Sequence, residues 1–163
     1  MAVRNCKEIG ENLQKIIRRL LANDNLVNLL YYTGADALTQ PHLTQDQKEK
    51  EVFEKLIKLT PRIGPKEGAQ SMVVVRVSDA MQLASNPEFK RVIIAIETFV
   101  PNTQFFIDGD NLRPFAILGE IEESLNGKTI NGLGKMQGGD FSFNYVTEEI
   151  CCYQQVFEII AYD

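Results

Sequence analysis

Gly127-Lys128-Thr129 has the residue types that close a phosphate-binding loop, in which backbone amides cradle the phosphate and the lysine neutralises it. That chemistry requires a glycine five residues earlier, where the chain has Glu122. The triplet also falls at the end of an expected helix, whose dipole repels an anion. A helix stop followed by a polar turn accounts for it. Gly132-Leu133-Gly134-Lys135-Met136-Gln137 opens like a dinucleotide fingerprint, but Gln137 stands in place of the third glycine and no strand leads directly into it. Asp108-Gly109-Asp110-Asn111 offers oxygen ligands for calcium, yet an EF-hand loop needs another oxygen where Leu112 falls and a distal glutamate in register. A turn into a helix, with Asp110 or Asn111 as N-cap, is the expectation.

His42 is the only histidine and sits beside Pro41 in an expected surface loop, so a zinc site or a nucleophile–histidine relay lacks partners. Glu120, Glu122 and Glu123 with Glu148 and Glu149 contain the makings of a carboxylate pair, but such charge on a helix exterior and in a hairpin turn is ordinarily solvated. Three cysteines cannot all pair within one chain, and the adjacent Cys151 and Cys152 point to opposite faces of a strand. We expect reduced thiols, no catalytic residue, no cofactor and no metal.

The elements that carry these residues belong to a globular chain of 163 residues, 44% hydrophobic and 24% charged, which is the size of one domain. The net charge of −5, without a long Lys/Arg run, disfavours specific DNA recognition. The longest apolar runs, Met72–Val75 and Val92–Ile96, are far short of the ~20 residues that span a bilayer, so no membrane partner is expected. The first residues carry no apolar signal core, which predicts synthesis in the cytoplasm.

Ile9, Leu13, Ile16, Ile17, Leu20 and Leu21 recur at helical spacing opposite Lys15, Arg18 and Arg19. Asn23-Asp24-Asn25 then caps a second short helix through Leu30. Thr44 with Gln47 matches a capping box for a helix to about Lys55, while 56–59 either ends that helix or begins an extended segment. Strands are expected over Ser71–Val77, Arg91–Val100 and, briefly, Thr103–Ile107. Leu112–Leu125 is helical, with Phe115, Leu118, Ile121 and Leu125 on one face and Asn126-Gly127 as its stop. After the glycines at 132–139, Phe141, Phe143 and Tyr145 alternate in a strand that pairs with Cys152–Tyr162, and Tyr153 and Phe157 meet those rings.

This order predicts one α+β domain over 1–163, with a mostly antiparallel sheet packed with the N-terminal amphipathic helix and one helix between strands. Its core is expected to combine Leu13, Ile16, Leu20, Val73, Val75, Ile94, Ile96, Leu118, Ile121, Phe143 and Phe157. Three long connections, 33–43, 61–70 and 78–90, are expected as contact arms.

The segments Phe99-Val100-Pro101, Leu112-Arg113-Pro114-Phe115-Ala116-Ile117, Gly119-Glu120-Ile121, Leu125-Asn126-Gly127-Lys128 and Gly132-Leu133-Gly134, with a final hairpin carrying Tyr153, resemble the neck and tail-completion proteins of tailed bacteriophages. The N-terminal helix leading to Leu29-Leu30-Tyr31-Tyr32 fits the same group, so the resemblance spans most of the chain. Within it the chain is most similar to the tail terminator in size and helix-plus-sheet architecture. That resemblance implies a virion protein at the head–tail junction: a homo-oligomeric ring, commonly a hexamer, that stops tail-tube growth and joins the tube to the head. Its implied partners are the tail-tube and head-closure or connector proteins, with double-stranded DNA passing through the lumen unrecognised. The alternatives are a head-closure or connector neck protein and, from a different class, a small phage regulatory protein that binds a host partner.

Overall fold

The structure, a computed structural model, describes residues 6–60, 70–88, 90–130 and 134–160. Helix α1 (Cys6–Leu21) buries Asn12, Ile16, Ile17, Leu20 and Leu21, one stripe of the amphipathic pattern, whereas Ile9 and Leu13 pack only at the core margin. Asn23 caps α2 (Asp24–Tyr31) as expected, its Oδ1 accepting from the Leu26 amide at 2.9 Å. Its Nδ2 donates to Ser124 Oγ at 2.9 Å, so the same residue that starts α2 also ties it to a later helix.

The main sheet has six strands in the order β1-β2-β3-β8-β7-β6: Ile57–Lys58, Met72–Gln82, Lys90–Pro101, Ile150–Ile160, Gly134–Thr147 and Thr129–Ile130. Among the described strand pairs only β1–β2 is parallel. A separate two-stranded ladder joins β4 (Phe106–Ile107) to β5 (Asn111–Leu112), immediately before helix α4 (Arg113–Leu125). The fold is therefore α+β, with a mixed and mostly antiparallel sheet.

One face of the sheet carries Val73, Val75, Ile94, Ile96, Met136 and Phe157, which merge with the buried stripes of α1, α2 and α4 into the main core. On the other face Val74, Phe99, Ile150 and Cys152 form a smaller cluster. Charged pairs flank it, Arg76 with Glu97 at 2.9 Å and Arg91 with Glu158 at 2.6 Å.

Several expectations need correction. The capping box at Thr44 and Gln47 is present, but the helix it begins, α3 (Gln45–Gln47), passes into a π-helical turn that ends at Val52, not Lys55. Phe53 leaves in an extended conformation and Glu54 takes φ +57°, which turns the chain so that Ile57 pairs with Val73. Residues 56–59 thus resolve as the extended alternative. The connection expected over 78–90 is strand at its start: a bulge between Val77 and Asp79 lets Ala80, Met81 and Gln82 continue pairing with Val92, Arg91 and Lys90, which leaves 83–88 as the described connection. Ladder hydrogen bonds outweigh the weak strand propensity of Ser78, Asp79 and Ala80. The 33–43 connection is fastened to the body, with Ala37 and Leu43 buried and Asn28 Nδ2 donating to the Gln40 carbonyl at 2.9 Å. Arm 61–70 lies outside the described residues except for Gln70, whose amide donates to the Leu30 and Tyr31 carbonyls.

The strand expected at 103–107 is confined to Phe106–Ile107, because Asn102–Gln104 form a 3-10 turn. Neither Asp110 nor Asn111 caps α4. Leu112 occupies that position without a side-chain bond, and the Arg113 amide instead donates to the Phe105 carbonyl at 2.8 Å. Leu118, Ile121 and Leu125 are buried as expected, but Phe115 is exposed because the core-facing stripe of α4 is Ile117, Leu118, Ile121 and Leu125, and Phe143 is exposed on the far part of β7.

Candidate interaction site

The residues with catalytic or ligand-binding potential are held apart. Gly127 sits just past the end of α4 with φ +69°, and Lys128 donates its amide to the Leu125 carbonyl at 3.1 Å, the geometry of a helix stop. Gly132 and Leu133 lie outside the described residues, while Gly134–Gln137 belong to β7. Asp108, Gly109 and Asp110 form the tight turn of the β4–β5 hairpin, with φ +85° at Gly109 and +56° at Asp110. His42 is exposed beside Asp24, its Nδ1 3.3 Å from the carboxylate, and the buried Lys48 reaches the same carboxylate at 2.6 Å.

Glu120 is engaged by Asn23 Nδ2 at 3.0 Å, whereas Glu148 and Glu149 lie in the β7–β8 turn. The structure thus separates those carboxylates. Burial, reinforced by Glu97, pushes the Cys152 thiol up to about 12, and burial also raises Cys151. Both thiols stay protonated at neutral pH and are poor nucleophiles. Among the described residues no group of three His, Cys, Asp or Glu could hold a metal ion. No described helix is long and apolar enough to cross a membrane.

What the fold does assemble is an aromatic surface. Strand β7 begins with Met136 buried against the helices and is then kinked by Gly138, where φ is +138° and an added Cβ would lie 2.3 Å from the Val156 carbonyl oxygen. Register shifts between Gly138 and Asp140, and beyond this bulge Phe141, Phe143 and Tyr145 alternate along the strand. Tyr153 of β8 stands opposite Phe143 in the ladder, with ring centroids 5.6 Å apart. Phe141 lies 5.8 Å from Tyr153, and Phe115 of α4 completes the group at 5.2 Å from Tyr153 and 6.0 Å from Phe141.

Three of these pairs are edge-to-face and Phe115–Tyr153 is tilted, as aromatic pairs prefer, yet rings of the group remain open to solvent. Phe115 is 38% exposed, Phe141 54%, Phe143 58% and Tyr145 72%. Helix α4 reaches the group only through Phe115, near its first turn, and so does not bury the later rings of β7. Farther along α4, Glu122 lies against the bulge, where an added Cβ on Gly139 would meet its carboxyl carbon at 3.2 Å. Between them Gly119 faces open space.

The outer edge of β7 is also bare. Strand β6 pairs only with Gly134 and Lys135, and the Gly138 amide donates to Asn126 Oδ1. From Asp140 to Thr147, β7 pairs with β8 alone among the described residues. At the opposite end of the sheet the short β1 is shielded by its own turn, with Phe53 bridging Ile57 and the Glu54 carboxylate accepting from the Leu59 amide at 2.9 Å. One edge is thus blunted, and the other combines unpaired backbone with exposed aromatic rings.

The alternation of these rings and their meeting with Tyr153 are legible in the sequence, whereas Phe143, expected in the core, is exposed. The missed signal is the flanking sequence. A Gly-Gly bulge and a Glu-Glu turn bracket the segment, and the one helix available to cover it is too short to do so.

No curated protein matches this chain. The YomW family, a phage-derived gene family, matches it over residues 23–159, from the cap of α2 to the end of β8. The chain therefore belongs to the YomW family.

Proposed function

We propose that this protein is a structural component of a phage virion that assembles as a ring, most simply of six copies, at the head–tail junction, where it terminates the tail tube and joins it to the head. The observation that carries the reading is the open aromatic edge of β7 on a phage-derived chain. A closed ring is built from heterologous contacts, each copy offering two different surfaces to its neighbours, and an unpaired strand with exposed rings supplies one of them. The remaining connection over 83–88 and the anchored 33–43 loop are further contact surfaces in this reading.

The charge fits the same role. A conduit must let DNA slide, and every Lys or Arg on phosphate would add counterion-release affinity. This chain is acidic overall, with net charge −5. The test is localisation. Electron microscopy of virions carrying an epitope tag on this protein and labelled with gold should show label at the head–tail junction. Label on the tail tip or capsid faces, or virions free of the protein, would refute the assignment.

A further inference from the structure

We infer that the outer edge of β7 receives an extended segment of a neighbouring protein whose side chains alternate between apolar residues and Lys or Arg. This deepens the reading above by naming the chemistry of the partner.

Backbone groups set the mode. Between Asp140 and Thr147 the outer edge of β7 has no strand beside it among the described residues, so an added strand would satisfy main-chain groups now left to water. Side chains set the pattern. Phe141, Phe143 and Tyr145 occupy one face of the strand, Asp140, Ser142 and Asn144 the other. A paired strand places its alternate side chains beside each set, apolar ones against the rings and polar ones against Asp140 and Ser142.

Charge sets the choice of polar residue. Asp140 and Glu122 flank the bulge end of the segment, and Glu148 and Glu149 form the turn at its other end. Lys135 is the only cation on β7. A basic partner is drawn to this rim, whereas a second copy of β7 would bring two sets of carboxylates together. Size agrees with strand addition and not with ring contacts alone. The exposed parts of the four rings amount to roughly 400 Å², about half of one partner's share of a standard interface. Main-chain pairing and the flanking carboxylates must supply the rest.

The test is fluorescence anisotropy of the full chain with a labelled ten-residue peptide of alternating valine and lysine. Comparison peptides have the same composition arranged in two blocks, alternating valine and glutamate, or N-methyl groups on alternate residues. We expect the valine–lysine peptide to bind, with N-methylation and Phe143→Ser each weakening it at least about tenfold. Asp140→Asn with Glu122→Gln should weaken it several-fold, to a degree that shrinks as salt rises. N-methylation alters only the probe, so it tests strand pairing even if a protein variant misfolds. Equal binding of the block or methylated peptides, or none of the alternating one, would overturn the proposal. So would self-association of the free chain that Phe143→Ser abolishes, which would make a second copy the occupant. Because the peptide is read on the purified chain, normal virions lacking this protein would refute the ring reading and leave this result standing.

Discussion

The guanidinium of Arg113 donates to the carbonyl of Leu29 through Nη1 at 2.5 Å, fastening the start of α4 to the last turn of α2. Four more carbonyls complete its shell: Gln104 at 2.7 Å, Tyr32 at 2.8 Å, Gly34 at 2.5 Å and Thr33 at 3.3 Å. The side chain is wholly buried, and burial pulls its pKa below the ordinary arginine value. A guanidinium has five N–H donors in a rigid fork, so one residue satisfies carbonyls from two chain segments, 29–34 and Gln104.

Replacing Arg113 by alanine strands those carbonyls in the interior, and we expect a loss of about 3–5 kcal/mol in urea unfolding. Arg113→Lys should recover less than half of it, because a single ammonium cannot span the fork. Full recovery by lysine would show that charge, not geometry, matters.

Ile121 is wholly buried on the core stripe of α4. Ile121→Ala should cost about 2–5 kcal/mol by the same measurement. A loss under about half a kcal/mol would contradict the packing of this helix against the sheet.

The bulge that turns β7 outward gives a paired prediction. Gly138→Ala forces a Cβ against the Val156 carbonyl at positive φ and should destabilise by more than about 1 kcal/mol. Gly119→Ala, in a helix and facing open space, should be neutral or stabilise by up to about 1 kcal/mol. Thermal unfolding of both variants distinguishes strain from a general intolerance of substitution.

Cys152 predicts an alkaline limit. Its folded pKa, about 12, lies above the ordinary 9.0, so between these values the unfolded thiol loses its proton while the folded one keeps it. Stability is therefore intact below pH 9 and falls as pH rises from there towards 12, by at most about 1.4 kcal/mol per pH unit. Unfolding of Cys152→Ala across this range should show a shallower slope; an unchanged slope would assign the effect to other groups.

Much of the fold was legible because single elements carry their own signals. The stripe of α1, the Asn23 cap, the Thr44–Gln47 capping box and the apolar strands around Val75 and Ile94 are all local patterns. What was not legible depended on neighbours distant in sequence. Ser78–Gln82 read as loop because only pairing with β3 makes them strand. Phe143 read as core because alternation reveals which residues share a face, not whether a helix covers that face. The role of Arg113 carries no local signal, since the carbonyls that need it lie some 80 residues earlier as well as nearby.

A role in tail termination is tested most directly by electron microscopy of phage lysates in which the gene for this protein has been inactivated. Filled heads separate from tails of abnormal or unregulated length are expected, with both defects repaired by the wild-type protein supplied from a plasmid. Tails of normal length beside DNA-free heads would contradict tail termination and move the role to head closure, and intact infectious virions would contradict a structural role at the junction altogether.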